Sequence, residues 1–501
     1  MTLTPASVRS AVLEQIERTR HCSKADIERF IEESESRIIS LDSQIDPLIE
    51  LRDSKRARIL APDAQLNALV ELRDSQRACV LALRYITSPV CTLPVELLSE
   101  IFKLSIEDGT HIQDAHRISQ VCAHWRRVAH STPRLWTRPL TVDLCKGKTV
   151  ADGLKTWMLR SFPLPISISF MPLRMCEDIN PAIVEEVLKV APRSSSLLFP
   201  IMYLTPFSFV MQLAQRRLDS LEEMELGRID KTDHSPLTFT APRLRKFSMA
   251  DPRPWQIIVP WTQLTDLVFH SHSHKDTFGI LAQCTNLLRM SMTTVAWHRF
   301  PEAEPDNLVL GRLRTLILHF MEESGAITPF FDFISAPCLR ILRLCVDQEQ
   351  PWTPASFTTF QLRAPNITRL EFTRSNSLTS DDVVAVMIHA PSLTHLKISY
   401  CAECFDDVFV RTLYYKDGVK PLVPRLHNLF VRQWYHMVNF TETVLAGMIA
   451  SRWRSDAELA SDAAPPAVAR WTHVEIDMRA HEWGSKFMEI LRDVPPNVLV
   501  Y

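Results

Sequence analysis

The stretch Leu378-Thr379-Ser380-Asp381-Asp382-Val383-Val384-Ala385-Val386-Met387-Ile388-His389-Ala390-Pro391-Ser392-Leu393-Thr394-His395-Leu396-Lys397-Ile398-Ser399-Tyr400-Cys401 changes its character half-way along. Its first part opens a helix, which Ala390-Pro391 ends because the residue before a proline is pushed out of the helical region. Leu393, Leu396 and Ile398 follow, and the last two alternate as a short strand turns one side inward. The same spacing of a first, fourth and sixth apolar residue begins at Leu221, Leu244, Leu264, Leu287, Leu313, Leu339, Ile367, Leu393 and Leu426. Ala-Pro pairs at Ala191-Pro192, Ala241-Pro242, Ala336-Pro337, Ala364-Pro365 and Ala390-Pro391 stop the intervening segments just before the next strand.

The step between these runs is mostly 20 to 28 residues, widening to 33 at the end, which is the leucine-rich-repeat period. The unit at Leu378–Cys401 resembles the cysteine-containing leucine-rich repeat found downstream of many F-boxes. Most other units lack the Asn or Cys of the strand-ending turn, so an irregular solenoid is expected. Between Trp136 and Leu218 the pattern is poorer. Leu140–Leu144 and Ile166–Phe170 alternate as strands, with 151–162 helical between them, and they read as degenerate first repeats. Residues 457–469 are small, acidic and proline-bearing, which suggests a mobile loop. Trp471-x-x-Val474-x-Ile476 is a last full strand, followed by a short helix and a terminal strand at 498–501.

Upstream, Leu93-Pro94-Val95-Glu96-Leu97-Leu98-Ser99-Glu100-Ile101-Phe102 reads as a helix with Pro94 at its first position and Glu96 facing the positive end of its dipole. Leu97 with Ile101, and Leu98 with Phe102, make an apolar face too broad for one neighbouring helix, so part of it wants a partner. Ile118, Val121, Trp125 and Val128 repeat at helical spacing, and Leu135-Trp136 follows. This order of motifs resembles the F-box, in particular the F-box-like motif that follows a helical segment in many fungal proteins. The resemblance implies that Leu93, Pro94, Leu97, Leu98, Ile101, Val121, Cys122 and Trp125 present a surface to a Skp-type adaptor, which holds a cullin. One departure is that 107–115, between the helices, is longer and more polar than a compact F-box needs.

From Asp26 to Ile59, Ile27, Ile31, Ile38, Leu41, Ile45 and Leu48 follow heptad-like spacings, and a second phase runs from Leu69 to Ile86. Glu50-Leu51-Arg52-Asp53-Ser54-Lys55-Arg56-Ala57 returns 21 residues later as Glu71-Leu72-Arg73-Asp74-Ser75-Gln76-Arg77-Ala78. Asp46-Pro47 is expected to break or restart the helix. Either a coiled coil that self-associates or a packed hairpin turning near Ala61-Pro62 accounts for the pattern, although Arg52, Lys55 and Gln76 put polar groups in the seam. The expected organisation is therefore α/β. Residues 1–23 are flexible, 24–87 form a coiled coil or hairpin, 88–138 an F-box-like domain, and 139–501 an irregular leucine-rich-repeat solenoid.

Charge is balanced, with 56 Lys and Arg against 58 Asp and Glu, so nothing draws the chain to nucleic acid or to a membrane surface. No apolar run approaches the roughly 18 to 20 residues that span a bilayer, and no signal-peptide core opens the chain. A cytoplasmic or nuclear protein with reduced thiols is expected from its 11 scattered cysteines. Only 10 residues are Gly, and no phosphate-cradling glycine loop occurs. His270-Ser-His272-Ser-His274 reads as a polar loop, since no cysteine or carboxylate lies suitably close to complete a metal site, and Cys401-x-x-Cys404 lacks a second pair. His116, Cys122, His124 and His130 are accounted for by helix packing and exposure. With no nucleophile elbow or zinc-protease motif, neither a cofactor nor a catalytic site is expected.

In such a solenoid the residues between the buried leucines face the concave side. Here they include Arg343, Arg369 and Glu371, His395 and Lys397, then Phe430 and Arg432. Arg343, Arg369, Lys397, Phe430 and Arg432 are therefore candidates to hold an acidic or phosphorylated segment of an unknown target protein. The expected function is a substrate receptor of a cullin-type ubiquitin ligase. The rival is a ligase-independent scaffold that joins proteins through the coiled coil and the repeats.

Overall fold

The computed structural model of the 501-residue chain describes every residue except 1–4, 55–59, 92, 108, 110, 173–178, 230–235, 252–256, 272–273, 295–307, 322–327, 347–351, 376, 434–438, 457–458, 460–466 and 479–480. It divides into two units, Met1–Arg138 and Pro139–Tyr501.

The first unit begins with helices α1 (Pro5–Arg18), α2 (Lys24–Ser54) and α3 (Leu60–Ile86), and α3 packs against both others. Residues 5–18 are thus helical where the sequence suggests flexibility. An amphipathic α3 paired with α2 alone would leave apolar surface uncovered, and α1 covers it. The seam is filled within one chain: Ile27, Leu41 and Ile45 from α2 are buried, as are Leu66, Ala78, Val80 and Leu83 from α3. That is the packed-hairpin alternative, extended by a third helix. Arg73 and Arg77, both in the returning copy of the repeat, reach Asp42 at 3.4 and 3.1 Å and tie the two long helices together. Pro47 lies inside an unbroken α2, so packing of the flanking Leu41 and Ile45 offsets the roughly 3 kcal/mol an interior proline costs.

Three short helices follow: α4 (Val95–Ser105), α5 (His111–Val121) and α6 (Ala123–His130). Pro94 is the N-cap of α4 and not its first residue, with extended ψ of 145°. The polar 107–115 segment, expected to be a long connection, is largely the start of α5, and Ala115 within it is fully buried. The periodic run from Ile118 to Val128 is split at Cys122, which is extended (φ −158°, ψ 172°) and whose Sγ accepts the N–H of Trp125 at 3.4 Å. Trp136 closes this small core, its indole Nε1 donating to the Ala129 carbonyl at 2.8 Å.

The second unit is built on a 14-stranded parallel sheet whose strands lie side by side in chain order. They are β1 (Leu140–Val142), β2 (Ile166–Phe170), β3 (Ser194–Leu198), β4 (Glu223–Leu226), β5 (Lys246–Ala250), β6 (Asp266–Ser271) and β7 (Arg289–Thr294). Then come β8 (Thr315–Phe320), β9 (Ile341–Val346), β10 (Arg369–Thr373), β11 (His395–Ser399), β12 (Asn428–Gln433), β13 (His473–Met478) and β14 (Leu499–Val500). The middle residue of each apolar triplet pairs with the next: Met224, Phe247, Leu267, Met290, Leu316, Leu342, Leu370, Leu396 and Leu429 form one row across the sheet. Every member of that row is almost completely buried. The period-2 pleat leaves the intervening residues on the other, open face. Helices occupy the returns, among them 354–362, 380–388, 407–412 and 442–451, and successive ones pack on each other.

Polar ladders reinforce the apolar one. Just before the strands, Gln263, Asn286 and Asn366 each donate a side-chain amide, at 2.7 Å, to a backbone carbonyl of the preceding repeat. Thr394 adds its hydroxyl at 2.9 Å to the Thr368 carbonyl. These bonds give the turn carbonyls side-chain partners and tie each repeat to the one before it. At the turn after β11, Cys401 is buried with Sγ 3.4 Å from the N–H of Ser375. Arg374 and Tyr400 take up left-handed backbone at the ends of β10 and β11 (φ 55° and 58°). The wide last step is braced by Arg452, which is buried, donates to the carbonyls of Val423 and Leu426 at 2.8 and 3.2 Å, and lies 4.8 Å from the Trp471 ring centre. Burial pushes its pKa down to about 10. β3, Ser-Ser-Ser-Leu-Leu, has no hydrophobic alternation and is not foreseen from sequence. Most of 457–469, expected to be a mobile loop, lies outside the described residues.

Candidate functional site

Two surfaces bring the candidate residues together, one in each unit. In the first, α4 divides its apolar residues sharply. Leu98 and Phe102 are 0% and 1% exposed, and the Phe102 ring packs on Trp125 with centroids 4.9 Å apart. Leu97 and Ile101 are 54% and 44% exposed, and Leu104, one turn further, is 87% exposed. Spacings of four and three put these last three on a single stripe. A stripe of this kind on an 11-residue helix, held from behind by a core, is surface waiting to be covered. Covering one such side chain fully contributes roughly 1.5–3 kcal/mol.

The predicted adaptor-contacting residues therefore separate. Pro94, Leu97, Ile101 and Val121 are exposed; Leu93, Cys122 and Trp125 are half-buried. Leu98 is a correction: it belongs to the core under the stripe and shapes the surface from below. Sequence reading missed Leu104 and Val95, both exposed. Leu104 was discoverable, because 97, 101 and 104 continue one helical face.

On the open face of the second unit, two adjacent rows run across the late strands. One contains Ile317, Arg343, Glu371, Lys397, Phe430 and Glu475; the other contains Thr315, Ile341, Arg369, His395, Asn428 and His473. Arg369, Lys397 and Phe430 line one depression of about 300 Å³, together with His395, Asn428 and His473. Arg343 and Arg432 lie outside it. Most of the candidate cations are ion-paired. Glu371 binds both Arg343 (2.9 Å) and Arg369 (2.5 Å), and Asp477 binds Arg432 at 2.6 Å. Arg343 and Arg432 thus meet a carboxylate on the neighbouring strand, and Arg369 one on its own strand, each through Nε. Lys397 forms no ion pair among the described residues; its Nζ lies 4.5 Å from the centre of the Phe430 ring, which Arg432 flanks at 5.2 Å.

The imidazole of His395 is held at both nitrogens, Nδ1 by the Thr394 hydroxyl at 2.8 Å and Nε2 by the Asn428 amide at 2.9 Å. Burial, with His427 and Arg369 close by, depresses its pKa below the usual histidine value. The depression is thus a polar cup in which Lys397, without an ion-pair partner among the described residues, lies on an aromatic wall. Asn428 and His473 were not foreseen, although they occupy the same strand position as Arg369 and His395. Among the described residues no group of His, Cys, Asp or Glu is arranged to hold a metal ion. His272 lies outside them, so the histidine run at 270–274 is not fully described. No helix among the described residues is long and apolar enough to cross a membrane.

Residues 90–141 match the family model described as F-box-like. No curated protein sequence matches the chain. Among solved structures it is similar to a chain of the TLR13–ssRNA13 complex, at 10% identity over 63% of this chain and 41% of that one, with a TM-score of 0.27. It is also similar to a chain of the Drosophila Toll–Spatzle complex, at 12% identity over 60% and 51%, with a TM-score of 0.26. The chain thus spans between two fifths and about half of the length of those chains. Residues 90–141 are an F-box-like domain, a module of protein interaction, and the chain continues into a long parallel-strand α/β sheet with the leucine-rich-repeat period.

Proposed function

We propose that this chain is a substrate receptor of a Skp–cullin–F-box ubiquitin ligase. The Leu97–Ile101–Leu104 stripe docks a Skp-type adaptor, the adaptor holds a cullin, and the open face of the late strands holds a target protein. The chain itself catalyses nothing; ubiquitin transfer belongs to its partners, which would place it in the cytoplasm or nucleus. The observation that carries this reading is the exposed stripe on α4 within the residues that match the F-box-like family. A helix that merely completed a local core would bury these side chains. A ligase-independent scaffold is the second reading, favoured by Phe30 and Ile39, exposed apolar residues on α2 that self-association could cover.

Titration calorimetry of the full chain against a Skp-type adaptor tests the proposal. Tight binding is expected, falling about 30-fold or more in a Leu97→Asp/Ile101→Asp variant, since an interface anchor can be worth about 2 kcal/mol. Both positions are exposed, so the variant's helical circular dichroism should be unchanged. Absence of binding by the intact chain overturns the receptor reading and leaves the scaffold.

A further inference from the structure

The open face changes chemistry along the sheet in a way that specifies how a bound segment is spaced. Lys397 lies in the cup with no carboxylate partner among the described residues. Moving toward the N-terminal strands, Arg343 and Arg369 share one carboxylate, Glu371, so that triad carries a single net positive charge already engaged in ion pairs. Ile341 lies beside Arg343 on β9 and Ile317 one strand further on β8; both are partly exposed and form an apolar shelf, with the exposed Val268 two strands beyond Ile317 in its row. An unpaired cation, an ion-paired triad and an apolar shelf therefore follow one another across the strands.

Ile317 stands on β8 and Lys397 on β11, three strand steps apart in one row. At roughly 4.8 Å per step the separation is about 14 Å, which an extended chain covers in about four residues at roughly 3.4 Å each. An even number of residues matters, because an extended segment presents every second side chain to the same face. The residue between would meet the Arg343–Glu371–Arg369 triad, whose cations are already engaged by Glu371.

We infer that this face takes an extended segment of a target protein lying across the strands, with an anionic side chain on Lys397 and an apolar side chain four residues away on the Ile317–Ile341 shelf. This rests on the target-binding reading above and adds the spacing. The anion is an oxyacid group, either a phosphate monoester or a carboxylate. An ammonium on an aromatic wall accepts both.

The test uses fluorescein-labelled 13-residue peptides of Gly, Ser and Ala with one anionic residue fixed at the centre, phosphoserine in one series and aspartate in the other. A single leucine is walked from one to six residues away on each side, and polarisation is read against the full chain. Affinity is expected to peak at a separation of four on one side, which also sets the direction of the bound segment. Peaks in the phosphoserine series alone assign phosphate; peaks in both assign charge alone, and each supports the inference. Lys397→Glu should weaken the peak peptide about tenfold or more. Ile317→Asp should erase the preference for leucine position while leaving binding dependent on the anion. Anion-dependent binding with a flat leucine profile overturns the spacing and spares the anion-binding reading. Equal binding of anionic and neutral serine peptides overturns both. Unchanged thermal unfolding of the two variants excludes misfolding as the cause.

Discussion

Leucines at regular spacing do opposite things in the two units. In the solenoid, each apolar triplet finds identical neighbours on both sides in the next strands, and the whole row from Met224 to Leu429 disappears from solvent. On α4 the same residue type has a partner on one side only, so Leu98 is buried and Leu97 is not. Repetition lets a sheet satisfy its own apolar surface, leaving polar residues to face partners; a short helix cluster has no such supply and keeps an apolar surface to offer. The first unit thus keeps an exposed apolar stripe on α4, and the second a mostly polar and charged open face on its late strands.

The sharpest way to break this contrast is to damage both cores equally. Phe102→Ala should cost about 3–5 kcal/mol and Leu396→Ala about 2–5. Hydrogen exchange should then differ in reach. The Phe102 variant should lose protection within α4–α6, whereas the Leu396 variant should lose it in β10 and β12 as well as in β11, because each repeat is stabilised by its neighbours. Exchange confined to β11 would contradict the coupled-row picture.

A smaller effect should sharpen the distinction between the buried and exposed sides of α4. Leu104→Asp should leave unfolding by urea within about 0.5 kcal/mol of the parent, as surface substitutions generally do. It should nevertheless weaken adaptor binding about tenfold, roughly 1.4 kcal/mol. A change of several kcal/mol in stability would mean that Leu104 serves the fold.

The smallest expected effect lies in the cup. Burial foremost, then His427 and Arg369, depress the His395 pKa, with Glu371 acting in the opposite sense. The unfolded chain therefore takes up this proton first. The contribution of neutral His395 to stability is complete above the ordinary histidine value of about 6.5 and is lost as pH falls through that value toward the lower folded one. Thermal unfolding between pH 7.5 and 5.5 should show a shallow decline that His395→Asn flattens. A His395 resonance titrating above 6.5 would reverse the sign and remove the prediction.

Much of this was legible residue by residue. Leu393, Leu396 and Ile398 announced a strand because alternation is a local property, and the repeated step announced neighbours for it. Ser194–Leu198 was not legible, because a strand between two others can borrow its register from them without alternating itself. Residues 5–18 escaped for a similar reason: their helix is stabilised by α3, far along the chain.

The sequence by itself determined the period, the apolar rows and the existence of an F-box-like helix cluster, because each depends on the spacing of residue types along a few turns or one strand. Tertiary structure alone decided that Leu98 turns inward while Leu97 and Leu104 stay outside. It also decided that Glu371 claims Arg343 and Arg369 while Lys397 keeps its charge unpaired among the described residues. Burial and ion pairing are set by groups that meet across strands and helices, 45 residues apart for Arg432 and Asp477. Coulomb attraction acts over those few ångströms in space and is blind to distance along the chain.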